Sequence, residues 1–170
     1  MQSKIEGALK NTTGLERRLR ELIRVKFIHF APNRGVLRTL LRNGADPKHP
    51  LSPFSPETEE IRDIDIAWFR RILIDCGVRI PRDLEPDLPG ILWFFQMGVI
   101  FFWVIDGSPE QTHSHRVLDL GAKSVTWVGR LLKQASGDLL KSAAAAESNE
   151  VGSRPMLLFG EQLFDARAVR

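Results

Sequence analysis

The chain has 170 residues, enough for one hydrophobic core and short for two. Apolar residues make up 43% and charged residues 26%, ordinary for a globular protein, and the single cysteine, Cys76, excludes an internal disulfide and fits a reducing cytoplasm. The net charge of +3 is uneven: residues 14–44 hold eight Lys/Arg against two acids, and residues 55–87 hold nine acids against five Arg. No aromatics interleave the arginines at a base-stacking spacing, so these charges read as the solvated sides of amphipathic helices rather than a nucleic-acid surface.

The first fourteen residues, Met1 to Gly14, lack the apolar run of a signal peptide. Leu15, Leu19, Leu22, Ile23, Phe27 and Phe30 then recur at three and four residues, which predicts an amphipathic helix over Leu15–Phe30. Pro32 is expected to start a second helix, with Val36, Leu37, Leu40 and Leu41 inward and Gly44 as its C-terminal cap. Residues 45–54, ADPKHPLSPF, hold three prolines without periodicity and read as an ordered loop.

Ser55-Pro56-Glu57 supplies an N-cap residue, a proline for the first helical position and an acid for the positive end of the dipole. The helix it opens carries the stripe Ile61, Ile64, Trp68 and Ile72, flanked by Phe69, Leu73 and Cys76, and stops at Gly77. Cys76 reads as a small buried hydrophobe. VRIPRDLEPD is a proline-punctuated connector.

Leu88–Ile105 follows, eighteen residues without a formal charge, at the lower limit for crossing a bilayer. Pro89 and Gly90 occupy one end, Gln96 sits near the middle, and Asp87 and Asp106 flank the run where Lys/Arg anchors would stand in a membrane span. It therefore reads as a core helix with neighbours on every side. Gln96 belongs to the stripe Leu92, Gln96, Val99 and Trp103, and a buried amide needs partners for its oxygen and both N–H groups. Those partners are either the protein itself or a ligand in an apolar pocket.

The last long helix is predicted over Pro109–Gln134 and bears two seams one residue apart. Leu118, Gly121, Val125, Val128 and Leu132 form one; Val117, Leu120, Ser124, Trp127 and Leu131 form the other. So broad an apolar arc exceeds what burial against one side of a monomer needs. Beyond Gln134 the composition turns small, polar and alanine-rich, as in a frayed helix end or a linker, and the final RPMLLFGEQLFDARAVR has spacing that fits a short docking helix.

No catalytic constellation stands out. His113 and His115 are two apart, which splays their rings and suits no metal, and there is no HExxH, CxxC, GxSxG or GxxxxGK[ST]. No metal, cofactor or enzymatic activity is expected. The run LWFFQMGVIFFWVIDGSPEQ resembles the LW-x-x-QMG-x-x-x-FW-x-x-D-x-SP-x-Q segment of a subgroup of TetR-like transcriptional regulators, and the resemblance covers residues 14–134, their C-terminal effector-binding and dimerisation domain. It implies an all-α antiparallel helical bundle that homodimerises through its last two long helices. One seam would then face the subunit's own core and the other the partner, with the Leu118, Gly121, Val125, Val128 and Leu132 seam assigned to the partner. It also implies a pocket for a small apolar or amphipathic effector, for which Phe27, Trp68, Trp93, Gln96, Met97 and Trp103 are the candidates. Residues 1–13 resemble a remnant of the family's connecting helix and 135–170 form a tail. Family members read DNA through an N-terminal helix-turn-helix that this sequence does not show, so no DNA-contacting residue carries over. A hydrophobic-ligand or docking module of the same fold, such as the lipid-binding ubiquinone-biosynthesis proteins, is the second reading.

Overall fold

The computed structural model describes residues 1–44 and 46–152, and all the regular structure among them is helical. The helices are α1 (Gln2–Lys10), α2 (Leu15–Phe30), α3 (Arg34–Gly44), α4 (Glu59–Asp75), α5 (Leu88–Ile105) and α6 (Thr112–Gly152). The chain divides into two compact units, Met1–Gln134 and Ala135–Arg170.

Local chemistry explains most boundaries. Gly14 (φ 83) turns the chain from α1 into α2, a left-handed backbone that glycine adopts without a Cβ penalty. At the other end of α4, Gly77 (φ 59) donates its N–H to the Ile74 carbonyl at 2.9 Å, and Val78 donates to the Leu73 carbonyl at 3.0 Å, a Schellman-type stop. The three prolines expected to open helices instead lie in 3-10 turns at Ala31–Asn33, Pro56–Thr58 and Pro109–Gln111, and each α-helix begins directly after its turn. Proline presets φ for a first turn but brings no N–H, so the entry tightens before the regular ladder starts. Ser55 does not cap α4; its hydroxyl donates to the Pro50 carbonyl at 3.1 Å and ties up the preceding loop. Past Gln134, where a frayed end or linker was expected, α6 continues to Gly152, in keeping with the helix propensity of its alanine run. The expected helix within 154–170 lies outside the described residues.

Two clusters make the core. Ile5 and Leu9 of α1, Leu19 and Leu22 of α2, Trp68, Phe69 and Ile72 of α4, Leu92 and Trp93 of α5 and Ala122 of α6 form the first. Ile23 and Phe27 of α2, Val99, Ile100, Trp103 and Val104 of α5 and Leu118 of α6 form the second. Helix α5 runs through both, so the residues most able to cross a membrane by length and composition, Leu88–Ile105 with mean hydropathy 1.9, give a little under half their number to the core. Its coverage is one-sided, however. Ile91, Phe94, Phe102 and Ile105 are exposed, which corrects the expectation of neighbours all round.

The turn from α5 into α6 is held by polar groups. Asp106 Oδ1 accepts the Ser108 N–H at 2.9 Å, and Oδ2 accepts the Ser114 N–H at 2.9 Å and its hydroxyl at 2.6 Å. Arg34 of α3 donates to the Trp103 carbonyl at 2.7 and 3.1 Å and to the Asp106 carbonyl, with its guanidinium over the Trp103 ring. Between them Glu110 and Gln111 take left-handed φ of 51° and 54°, a strain that this network holds in place. The Ser114 hydroxyl and the neighbouring backbone N–H groups, acting against desolvation, hold the Asp106 carboxyl well below the usual carboxylate range. A carboxylate with a lowered folded pKa stabilises above its unfolded value of about 3.9 and loses that contribution as pH falls. Asp106→Asn is therefore expected to lower Tm near neutral pH, with the gap to wild type closing below about pH 4. Thermal melts across that range check this; a gap that persists undiminished in acid would contradict it.

Candidate functional site

A cavity of about 220 Å³ opens among α2, α3, α4 and α5. Its walls are apolar: Phe30 from α2, Leu37, Leu40 and Leu41 from α3, Ile61 from α4, and Trp93, Met97 and Ile100 from α5, with Leu51 and Pro53 from the α3–α4 loop. That loop is fixed by its own hydrogen bonds. The buried Ser52 hydroxyl donates to the Gly44 carbonyl at 2.6 Å, and Thr58 donates to the Ser52 carbonyl at 2.7 Å.

Polar groups gather at one place on the wall. Lys26, 1% exposed, donates to Asp65 Oδ2 at 2.6 Å, and Gln96 Nε2 donates to the same oxygen at 3.1 Å. Gln96 is fully buried, and its Oε1 has no hydrogen-bond partner among the described residues. Burial pushes the Lys26 ammonium below the ordinary lysine range, while the Asp65 charge and hydrogen bond pull it back up. Arg62, one turn before Asp65, donates through Nη1 to the Pro53 and Ser55 carbonyls at 3.1 and 3.2 Å. Lys26, Arg62, Asp65 and Thr58 all line the cavity.

Of the six ligand candidates, Trp93 and Met97 line this cavity. Gln96 stands one residue removed, joined to it through Asp65. Phe27 and Trp103 do not line it: their rings stack on each other at 5.0 Å and 8° within the second core cluster, and Phe27 also meets the His115 ring edge. Trp68 packs in the first cluster with Arg71 over its ring. Lys26, Arg62 and Asp65 were not among the candidates. The available signal was a charge on the apolar stripe of each helix. Lys26 follows Leu22 by four and precedes Phe30 by four; Asp65 follows Ile61 by four and precedes Trp68 by three.

Two further arginines of α2 are held in ion pairs. Arg18 pairs with Asp75 at 2.7 Å, and Arg20 pairs with Glu16 at 2.7 Å and with Asp119 of α6 at 2.6 Å. Basic side chains of α2 thus serve contacts within the subunit. Burial pushes the Cys76 thiol up, against the pull of Arg18, as suits a packed cysteine at the end of α4. Among the described residues no three His, Cys, Asp or Glu side chains converge as a metal site.

The two seams of α6 face different surroundings as far as Trp127. Leu118, 1% exposed, belongs to the second core cluster, Val125 packs against the first, and a Cβ at Gly121 would run into the Phe95 ring. The Leu118–Gly121–Val125 seam expected to meet a partner is therefore the one that closes the subunit's own core. Asp119 on Arg20 and His115 on Phe27 fix that rotation from the α2 side. Val128 is exposed, and the side chain of Leu132 lies outside the described residues. The outward seam is Val117, Leu120, Ser124, Trp127 and Leu131, with Trp127 62% exposed. Gly121 sits on Phe95, which flanks the exposed Phe94 and Phe102 of α5. At 100° per residue the outward seam falls on that same α5 side of α6, so the exposed faces of α5 and α6 adjoin.

A family model described as the tetracyclin repressor-like, C-terminal domain matches residues 18–145, well over half of the chain. No curated protein matches the chain.

Proposed function

The chain belongs to the tetracyclin repressor-like C-terminal domain family, whose members are in general regulatory, ligand-binding and dimerising domains without enzymatic activity, and from that premise we propose that it is the effector-binding and dimerising unit of a cytoplasmic transcriptional regulator. One observation carries the proposal: α5 serves two surfaces at once. Trp93, Met97 and Ile100 on one side wall the cavity, while Ile91, Phe94, Phe102 and Ile105 on the other join the outward seam of α6. Two copies bury that face against each other as a four-helix bundle. An effector that favours one packing of α5 then biases how the subunits meet, a population shift between two arrangements. DNA is reached through a helix-turn-helix elsewhere in the regulator. In this reading the dimer seam is Val117, Leu120, Trp127, Val128 and Leu131, and the effector residues are Trp93 and Met97 with Lys26 and Asp65, which Gln96 supports from behind.

Met97→Trp tests the cavity, since the larger side chain occupies it. Wild-type protein is expected to bind the neutral apolar dye Nile red with a rise in fluorescence, and Met97→Trp to lose most of that rise while its Tm stays close to wild type. A wild-type protein that leaves the dye dark, or a filled variant that binds it equally well, would count against an effector cavity here.

A further inference from the structure

We infer that the ligand this cavity takes is a small amphipathic carboxylate, its anionic head at Arg62 and Lys26 and its apolar body against Leu37, Leu41, Met97 and Ile100. The inference rests on the reading of the cavity as an effector site and adds the chemistry of the head group. Among the described residues the charged side chains lining the cavity are Lys26, Arg62 and Asp65, two cations against one anion. Asp65 is already committed to Lys26 at 2.6 Å. No acidic side chain lies within ion-pair distance of Arg62 among the described residues, where its bonds go to two neutral backbone carbonyls through Nη1 alone.

Donors exceed acceptors in the same place. An ammonium has three N–H groups, and Lys26 uses one on Asp65. The guanidinium fork has five, so Arg62 keeps the geometry that a carboxylate meets in bidentate fashion. The unpaired Gln96 Oε1 does not change this count, because Gln96 does not line the cavity. Beside apolar walls an unbalanced cation is worth more to an anion than it would be in water. A neutral alcohol supplies an acceptor without charge, and an amine brings a third cation to the two already present.

Isothermal titration calorimetry of the full chain near neutral pH with octanoate, 1-octanol and octylamine tests the inference through three heads on one tail. Octanoate is expected to bind about tenfold or more tightly than 1-octanol, the equivalent of one charge-assisted pair, and octylamine most weakly. Arg62→Gln is expected to bring octanoate down to the level of 1-octanol and leave 1-octanol unchanged, whereas Arg62→Lys keeps part of the preference. The wild-type comparison decides the matter even where a variant folds poorly. If 1-octanol or octylamine binds as tightly as octanoate, the head-group inference is overturned and the apolar cavity stands. Equal loss of both ligands in Arg62→Gln overturns it as well, by assigning Arg62 to the wall. If none of the three binds, the effector-cavity reading itself fails, and the carboxylate with it.

Discussion

Lys26→Met is expected to cost the fold about 3–5 kcal/mol, although methionine fits the volume and suits the apolar stripe of α2. The loss comes from what is left behind. Asp65 is largely buried, and without the ammonium at 2.6 Å its charge keeps, among the described residues, the Gln96 amide alone. Removing one partner strands a charge, whereas removing the whole group does not. The triple variant Lys26→Met, Asp65→Leu and Gln96→Met should thus recover most of the loss, since similar apolar volume replaces a buried polar cluster. Urea unfolding of the three proteins near neutral pH measures both steps. A single variant within about 0.5 kcal/mol of wild type would show that the pair is solvated rather than buried. The pair also leaves a signature in alkali. Burial lowers the Lys26 pKa in the fold, so the unfolded chain holds that proton more tightly. Stability from this group therefore rises as pH climbs from the folded value towards the ordinary lysine range.

Trp103→Ala carries the second large expected effect, a loss of about 3–5 kcal/mol with ligand binding retained by the protein that remains folded. Trp103 is buried, stacked on Phe27, and its carbonyl and ring both hold Arg34. Truncation empties the second core cluster and loosens the α5–α6 turn together. Trp103→Phe keeps the stack and should recover much of the stability. Guanidinium unfolding gives the energies, and Nile red binding to each variant tells core from cavity. A Trp103→Phe protein of native stability that no longer takes the dye would return Trp103 to the binding site.

Helix periodicity made α2 legible: a helix of roughly Leu15 to Phe30 is expected, and Leu15–Phe30 is observed. The same periodicity could not choose between the seams of α6. They are one residue apart, or 100° around the helix, and both are apolar. What settles the choice lies on other helices, in the Phe95 ring that only Gly121 admits and the Asp119–Arg20 contact. The cavity failed to emerge for a related reason. Large aromatics mark core and pocket alike, so Phe27 and Trp103 looked no different from Trp93. The residues that distinguish the cavity, Lys26 and Arg62, belonged in sequence to an ordinary tally of charge. Gln96 was recognisable as a buried amide, and its acceptor turned out to be Asp65, thirty-one residues upstream on another helix.

In the dimer we propose, the exposed faces of α5 and α6 pair two copies of this chain. Sedimentation velocity over the micromolar range, on wild type and on Trp127→Glu, tests it most directly. Wild type is expected to sediment as a dimer and Trp127→Glu as a folded monomer, because a charge at the middle of the outward seam would be buried unpaired in the dimer. A wild-type protein that sediments as a monomer throughout, or a Trp127→Glu dimer as tight as wild type, would contradict it.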